Sequence, residues 1–295
     1  DNFQPECYTE KNNMEGIYMI QVGAVSRTFV NWAYADVANR MKELGFVSTE
    51  LCFMFKEVNT WCYNGSTDMS GLTDELAAKI AKAFRDKGIY IASIGAFSSM
   101  FEPNEEKQAQ NLRTFERYFK IAADNGIPAV ATEAGFIPGR RGIIFDTYEK
   151  DFNYFKSNVM KVLELAEKYG VDLALENCVL DLAPSAKRAR DLILQCGSKR
   201  FKVLLDPANL IANSDEEDMY KYLAPYISYF HGKDRKVNDA SGRVVGDGDI
   251  DWPLFLKLYH EHSEGVPFIL EYVNPDNCAE IRDRVLAFDK LAANR

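Results

Sequence analysis

Short apolar runs rich in β-formers alternate with longer amphipathic stretches along most of the chain. The runs fall at residues 18–25, 46–53, 89–97, 129–136, 171–178, 201–205, 227–233 and 268–273, and each reads as a strand. Between them, helical patterns cover 32–44, 74–87, 105–125, 147–169, 185–195 and 253–262, and a last one covers 277–291. The punctuation agrees. Gly88, Gly126 and Gly170 stand where three of these helices should stop. Ser70 or Thr73 can cap the second helix, Asp251 the one that begins near Pro253, and Pro184 lies close to another start. Eight strand–helix units predict an α/β chain with a parallel sheet closed into a single (β/α)8 barrel. The competing open, doubly wound sheet usually carries a glycine-rich first βα turn. Here that turn reads Val22-Gly23-Ala24-Val25-Ser26-Arg27 and lacks the fingerprint.

Composition narrows the picture. The 295 residues suit one barrel domain over 17–295 behind a polar extension over 1–16. With 47% hydrophobic and 27% charged residues, general disorder is excluded. The 35 Lys+Arg against 44 Asp+Glu leave a net charge of −9, which disfavours non-specific nucleic-acid binding. No apolar run reaches the ~18–20 residues of a membrane-spanning helix. The 6 cysteines (Cys7, Cys52, Cys62, Cys178, Cys196 and Cys278) are scattered and read as free thiols in a reducing compartment. With no basic-then-apolar signal segment, a cytoplasmic location is expected. Residue 1 is Asp, which leaves room for a segment removed before it. The stretches 54–71, with Trp61, Tyr63, Asn64 and Gly65, and 136–145, with Pro138, Gly139 and Gly142, read as long loops over the barrel mouth, the first as a lid.

The chemistry of such a barrel sits at the carboxyl ends of its strands. Four consecutive strands end in ionisable groups: Glu176 closes VDLALE, Asp206 follows FKVLL, His231 follows ISYF, and Glu271 follows PFIL. A carboxylate in an apolar strand loses hydration and must pair or bind a cation. Three of them at similar heights repel one another unless a divalent ion joins them. One strand-end Glu by itself more simply caps a helix or pairs with a base, and one histidine is more simply structural. The conjunction favours a metal site. Three oxygen donors and one imidazole suit one divalent ion, with Mn²⁺ favoured, Mg²⁺ and Co²⁺ acceptable, and Zn²⁺ less expected without a thiolate.

These pieces, in order, carry a resemblance: ALEN around Glu176, LLDPANL around Asp206, HGKD from His231, GDGDIDW at 246–252 and ILE ending at Glu271. The C-terminal half resembles the xylose-isomerase-like TIM-barrel superfamily, which includes sugar isomerases, ketose 3-epimerases, inosose dehydratases and abasic-site endonucleases. The N-terminal half matches as barrel units, with Glu50 near the end of the second strand. The resemblance implies that Glu176, Asp206, His231 and Glu271 hold one divalent metal ion. It also implies that Glu176 and Glu271 are the catalytic acid/base pair. Relatives often place a histidine three residues after the strand-six aspartate, where this chain has Asn209. Some use an arginine a few residues after the strand-seven histidine, where Arg235 stands near Val237.

The function so implied is a metal-dependent isomerase or epimerase of a sugar or sugar phosphate. It would abstract a proton next to a carbonyl through a metal-stabilised enediolate. Lys233, which shares the inward direction of His231, together with Asn209, Glu133, Trp61 and Phe97, is the expected substrate-binding set. Each also has a plainer use: Lys233 pairing with Asp234 or Asp206, Asn209 bracing a turn, Glu133 supporting the site from behind, and packing for Trp61 and Phe97. Arg140 and Arg141 read first as a solvated basic pair, and Asp247 and Asp249 are left out of the metal set. The partner is a small molecule, with no nucleic acid and no membrane, and self-association into a homo-oligomer is compatible with the reading. A dehydratase of an inosose or keto-polyol is the alternative. An abasic-site endonuclease and a non-catalytic sugar-binding barrel are remoter. The endonuclease needs several more histidines than the 3 present.

Overall fold

A computed structural model of the chain describes residues 19–295. The expected extension over 1–16, Cys7 and the first residue of the first predicted strand lie outside them. Eight parallel strands follow in order: β1 (Val22–Ala24), β2 (Ser48–Leu51), β3 (Tyr90–Gly95), β4 (Ala129–Glu133), β5 (Asp172–Glu176), β6 (Phe201–Leu205), β7 (Ile227–Gly232) and β8 (Phe268–Leu270). Each pairs with its sequence neighbour from β2 through β8, and β8 pairs with β1. The β1–β2 seam is drawn together differently. Val47 N–H donates to Val22 O at 3.2 Å, Thr49 Oγ1 to Ala24 O at 2.8 Å, and Cys52 N–H to Ser26 Oγ at 2.8 Å. The result is a nearly closed sheet, a single (β/α)8 barrel.

The helices are α1 (Tyr34–Glu43), α2 (Asp74–Asp86), α3 (Glu105–Asp124), α4 (Tyr148–Tyr169), α5 (Ala186–Cys196), α6 (Pro207–Leu210), α7 (Glu216–Leu223), α8 (Trp252–His262) and α9 (Cys278–Ala292). Thr73, rather than Ser70, caps α2 by accepting Leu76 N–H, and Asp251 caps α8 by accepting Leu254 N–H, both at 3.1 Å. Sequence periodicity names no helix between strands six and seven, yet α6 and α7 lie there. Asp215 caps α7, whose buried residues include Met219, Tyr220 and Leu223. An eight-residue helix gives too short a window for the period to stand out. No helix among the described residues is long and apolar enough to cross a membrane.

The core has two layers, and strand parity separates them. Leu173, Leu175, Val203, Leu205, Phe230, Phe268 and Leu270 belong to the shell between sheet and helices. Ala129, Ala131, Ala174, Leu204, Tyr229 and Ile269 form the separate core inside the barrel. Because side chains alternate along a strand, the next inward positions are Glu133, Glu176, Asp206, His231 and Glu271. The same alternation that builds the core therefore delivers the ionisable groups to one end of it.

Candidate metal and substrate site

One ligand atom from each of Glu176, Asp206, His231 and Glu271 lies within 4.8 Å of the other three, and all four residues are buried. His231 Nδ1 faces this group, 3.4 Å from Glu176 Oε1 and 3.6 Å from Glu271 Oε2. Its other nitrogen, Nε2, is 3.0 Å from Glu50 Oε2. Tyr229 Oη also donates to that oxygen, at 2.5 Å. A carboxylate only accepts, so Nε2 carries a hydrogen toward Glu50, and Nδ1 is the nitrogen turned into the cluster. A register shift between Thr49 and Glu50 marks this point of β2. Gly95 makes room, since a Cβ there would lie 2.5 Å from Glu50 Oε1.

Two cations also reach the cluster. Lys233 Nζ is 2.6 Å from Asp206 Oδ2, an ion pair rather than an aligned hydrogen bond, and 2.9 Å from Glu271 Oε2. The lysine thus chooses Asp206 and not Asp234. Arg27, just beyond β1, pairs with Glu271 and lies against the face of Trp61. The carboxylates are therefore partly neutralised from within, which softens the self-repulsion argued from sequence. Burial pushes the Asp206 carboxyl up to about 7, against the pull of Lys233. Burial also acts to raise Glu271, but Lys233, Arg27 and His231 outweigh it and hold that carboxyl well below its ordinary range. Burial disfavours a charged His231, yet Glu176, Glu50 and Glu271 raise its pKa well above normal.

The residues present fit a divalent ion. His231 Nδ1 and Glu176 Oε2 are buried with no hydrogen-bond partner among the described residues. Such atoms are costly unless something fills the space between them. Three carboxylates and one imidazole suit a hard or borderline dication.

A cavity of about 540 Å³ opens beside the cluster at Glu271 and Lys233. All five residues expected to meet substrate line it: Lys233, Asn209, Glu133, Trp61 and Phe97. Asn209 Nδ2 donates to Glu176 Oε1 at 2.8 Å, so this side chain orients a cluster carboxylate as well as facing the cavity. Burial raises the pKa of Glu133, whose carboxylate accepts Tyr63 Oη–H at 2.7 Å. The two long loops are joined by Asn64. Its Nδ2 donates to Phe136 O at 2.8 Å, and its Oδ1 accepts Phe136 N–H at 2.7 Å. Arg140 pairs with Asp151, whereas Arg141 lines the cavity, bonded to Tyr63 Oη at 3.0 Å and 4.7 Å from the centre of the Phe136 ring. Asp247 and Asp249 stay outside the cluster, with Arg284 and with the Val237 N–H. His260 and His262 lie on α8, against Asp289 and Tyr220.

The sequence reading passed over Arg27 and Tyr229 and gave Glu50 no partner. Arg27 had one available signal, a basic residue just past a strand end at the catalytic rim. Tyr229 shares the parity of His231 but reads as core.

Comparison with known proteins adds the following. Residues 38–291 match the sequence profile described as xylose isomerase-like TIM barrel. A probable L-ribulose-5-phosphate 3-epimerase of Mycoplasma pneumoniae is 27% identical over 184 residues, covering 60% of this chain and 57% of that protein. The match thus spans little more than half of that relative's length. A D-psicose 3-epimerase from Clostridium cellulolyticum, solved with D-tagatose, superposes with a TM-score of 0.66 at 16% identity, over 93% of this chain and 99% of that one. The IOLI protein, solved with a bound zinc atom, gives 0.69 at 14% identity, over 93% and 99%. At these identities the two structures speak for the fold.

Proposed function

Because the chain belongs to the family of xylose isomerase-like TIM barrels, we propose that it is a divalent-metal-dependent isomerase or epimerase of a ketose, free or phosphorylated. One observation supports this reading: Glu176, Asp206, His231 and Glu271 converge on one point, and Glu271 also lines a cavity of sugar-accommodating size. The similarity to a probable ketose-phosphate epimerase supports the substrate class, and the zinc-bound structural neighbour shows that a protein of this fold can bind a metal.

Glu176, Asp206, His231 and Glu271 would hold the ion, and Mn²⁺ remains the favoured identity on donor chemistry. When bound, it supplies Lewis-acid polarisation of a substrate carbonyl. The protein's own groups do the proton work. Glu271, the carboxylate of the cluster that lines the cavity, would take the proton next to the carbonyl. Glu176, steadied by Asn209, returns a proton to the opposite face for epimerisation, or to the adjacent carbon for isomerisation. Lys233 is placed to stabilise the oxyanion of the enediolate. Trp61 offers an aromatic face and a buried Nε1–H with no partner among the described residues, a donor for a hydroxyl.

Solvent deuterium exchange tests the reading. Wild-type protein with Mn²⁺ should wash label into the α-carbon of a ketose, and Glu271→Gln should lower that exchange by ~10²–10⁴-fold while remaining folded. Exchange at the wild-type rate in the variant would remove Glu271 from the mechanism. Loss of water rather than formation of an epimer, seen by NMR, would move the reaction to the dehydratases.

A further inference from the structure

Arg27, Arg141, Lys233 and Arg235 line the cavity. Two are already neutralised: Arg27 by Glu271, and Lys233 by Asp206 and Glu271. Arg235 is different. It is only 5% exposed, yet among the described residues its guanidinium meets only neutral acceptors. Nη2 donates to Asn209 Oδ1 at 2.9 Å, Nη1 donates to Ala240 O, and Nε has no partner. The neighbouring acids are otherwise engaged. Asp234 Oδ1 accepts the Arg235 backbone N–H at 2.8 Å, and Asp234 Oδ2 accepts Gly246 N–H at 3.0 Å and Trp252 Nε1–H at 2.8 Å. Asp249 accepts Val237 N–H at 2.9 Å. A buried guanidinium with no carboxylate beside it is unfavourable unless an anion completes its fork. Arg141, the other lining cation without an ion pair among the described residues, is held by Tyr63 and Phe136 rather than by an acid.

We propose that the ligand of this cavity carries an anionic group, a phosphate or a carboxylate, held by Arg235, with Arg141 as a second cation of the same cavity. This rests on the isomerase/epimerase reading in taking that ligand to be the substrate, which becomes an anionic rather than a neutral ketose. A chain with a net charge of −9 does not attract such a molecule globally, so the attraction has to be built locally.

The probe is inorganic phosphate, with acetate as the carboxylate arm, titrated calorimetrically into the full chain at low ionic strength. Runs with and without a chelator keep phosphate off any bound ion. Wild type should bind one phosphate or acetate per chain in the chelated state, and the preferred anion names the group. Arg235→Met should weaken that binding at least tenfold. Asn209→Asp gives a second route should Arg235→Met not fold. It sets a carboxylate on the guanidinium and should weaken anion binding comparably. Absence of binding of both anions by wild type, or unchanged affinity in the variants, overturns the proposal. Ketose turnover, followed separately by NMR for L-ribulose and L-ribulose 5-phosphate, reports on the isomerase/epimerase reading. Anion binding through Arg235 without turnover would sink that reading and leave the anion site standing. Turnover of L-ribulose with no anion binding would do the reverse.

Discussion

Glu50 and His231 are 181 positions apart, yet their contact fixes which imidazole nitrogen faces the cluster. With Nε2–H engaged by a carboxylate, Nδ1 is left as the donor atom for an ion. Glu50→Gln should lower affinity for Mn²⁺ or Zn²⁺ by ~10–100-fold, read by competition with a chromophoric chelator, with an unchanged far-ultraviolet circular dichroism spectrum. Equal affinity would reduce Glu50 to a packing role. Gly95→Ala addresses the same contact sterically. Its new Cβ would stand 2.5 Å from Glu50 Oε1 and 2.9 Å from Cys52 Sγ. It should cost ~1–3 kcal/mol in denaturant melts, as overpacking does. At this scale the sequence disclosed the four strand-end ionisable residues that the fold brings together, because each closes an apolar run. It did not disclose Arg27 or the partner of Glu50, because nothing local marks a contact made across the barrel.

Elements are held by caps and by pairs of side chains between helices. Thr73→Ala removes the acceptor for Leu76 N–H and should lower stability by about 1 kcal/mol in a thermal melt. His260 on α8 and Asp289 on α9 meet at 2.6 Å, and the other oxygen of Asp289 accepts Ile20 N–H ahead of β1 at 2.9 Å. The Asp289 hydrogen bond, with burial opposing, raises the His260 pKa. A raised folded-state value means folding favours the protonated form. That contribution is complete below the unfolded imidazole value of about 6.5 and fades as pH rises through the folded value. His260→Gln should flatten this part of the stability–pH curve. A variant with the wild-type slope would show that other groups set it. The long helices and strands were legible from period alone. The short α7 was not, since its eight residues are fixed by packing of Met219, Tyr220 and Leu223 and not by repetition.

For the whole molecule, the barrel mouth holds both the buried acidic cluster and a pair of loops joined by Asn64. Any ion that binds only the folded chain stabilises it, by about 2.7 kcal/mol at a hundred times its dissociation constant. Melts with added Mn²⁺ or Zn²⁺ should therefore move upward in wild type, and Asp206→Asn should largely cancel the movement. An equal shift in that variant would place the ion elsewhere. Asn64→Ala cuts both Asn64–Phe136 hydrogen bonds between the 54–71 and 136–145 loops and leaves the Arg141–Tyr63 bond as a remaining tie, so it should raise the KM for a turned-over ketose more than it changes kcat. Comparable changes in both would mean that the latch also serves the chemical step.

The sequence by itself determined the alternation of strand and helix, and hence the barrel. It also determined the parity that turns Glu176, Asp206, His231 and Glu271 inward, because hydrophobic burial is written residue by residue at periods of two and 3.6. Only the tertiary structure decided that Lys233 and Arg27 share the charge of that cluster, that Glu50 orients His231, and that Arg235 is buried without an acid. Those are contacts between strands and loops far apart in the chain. Their strength depends on distance and lost hydration, and a linear pattern carries neither.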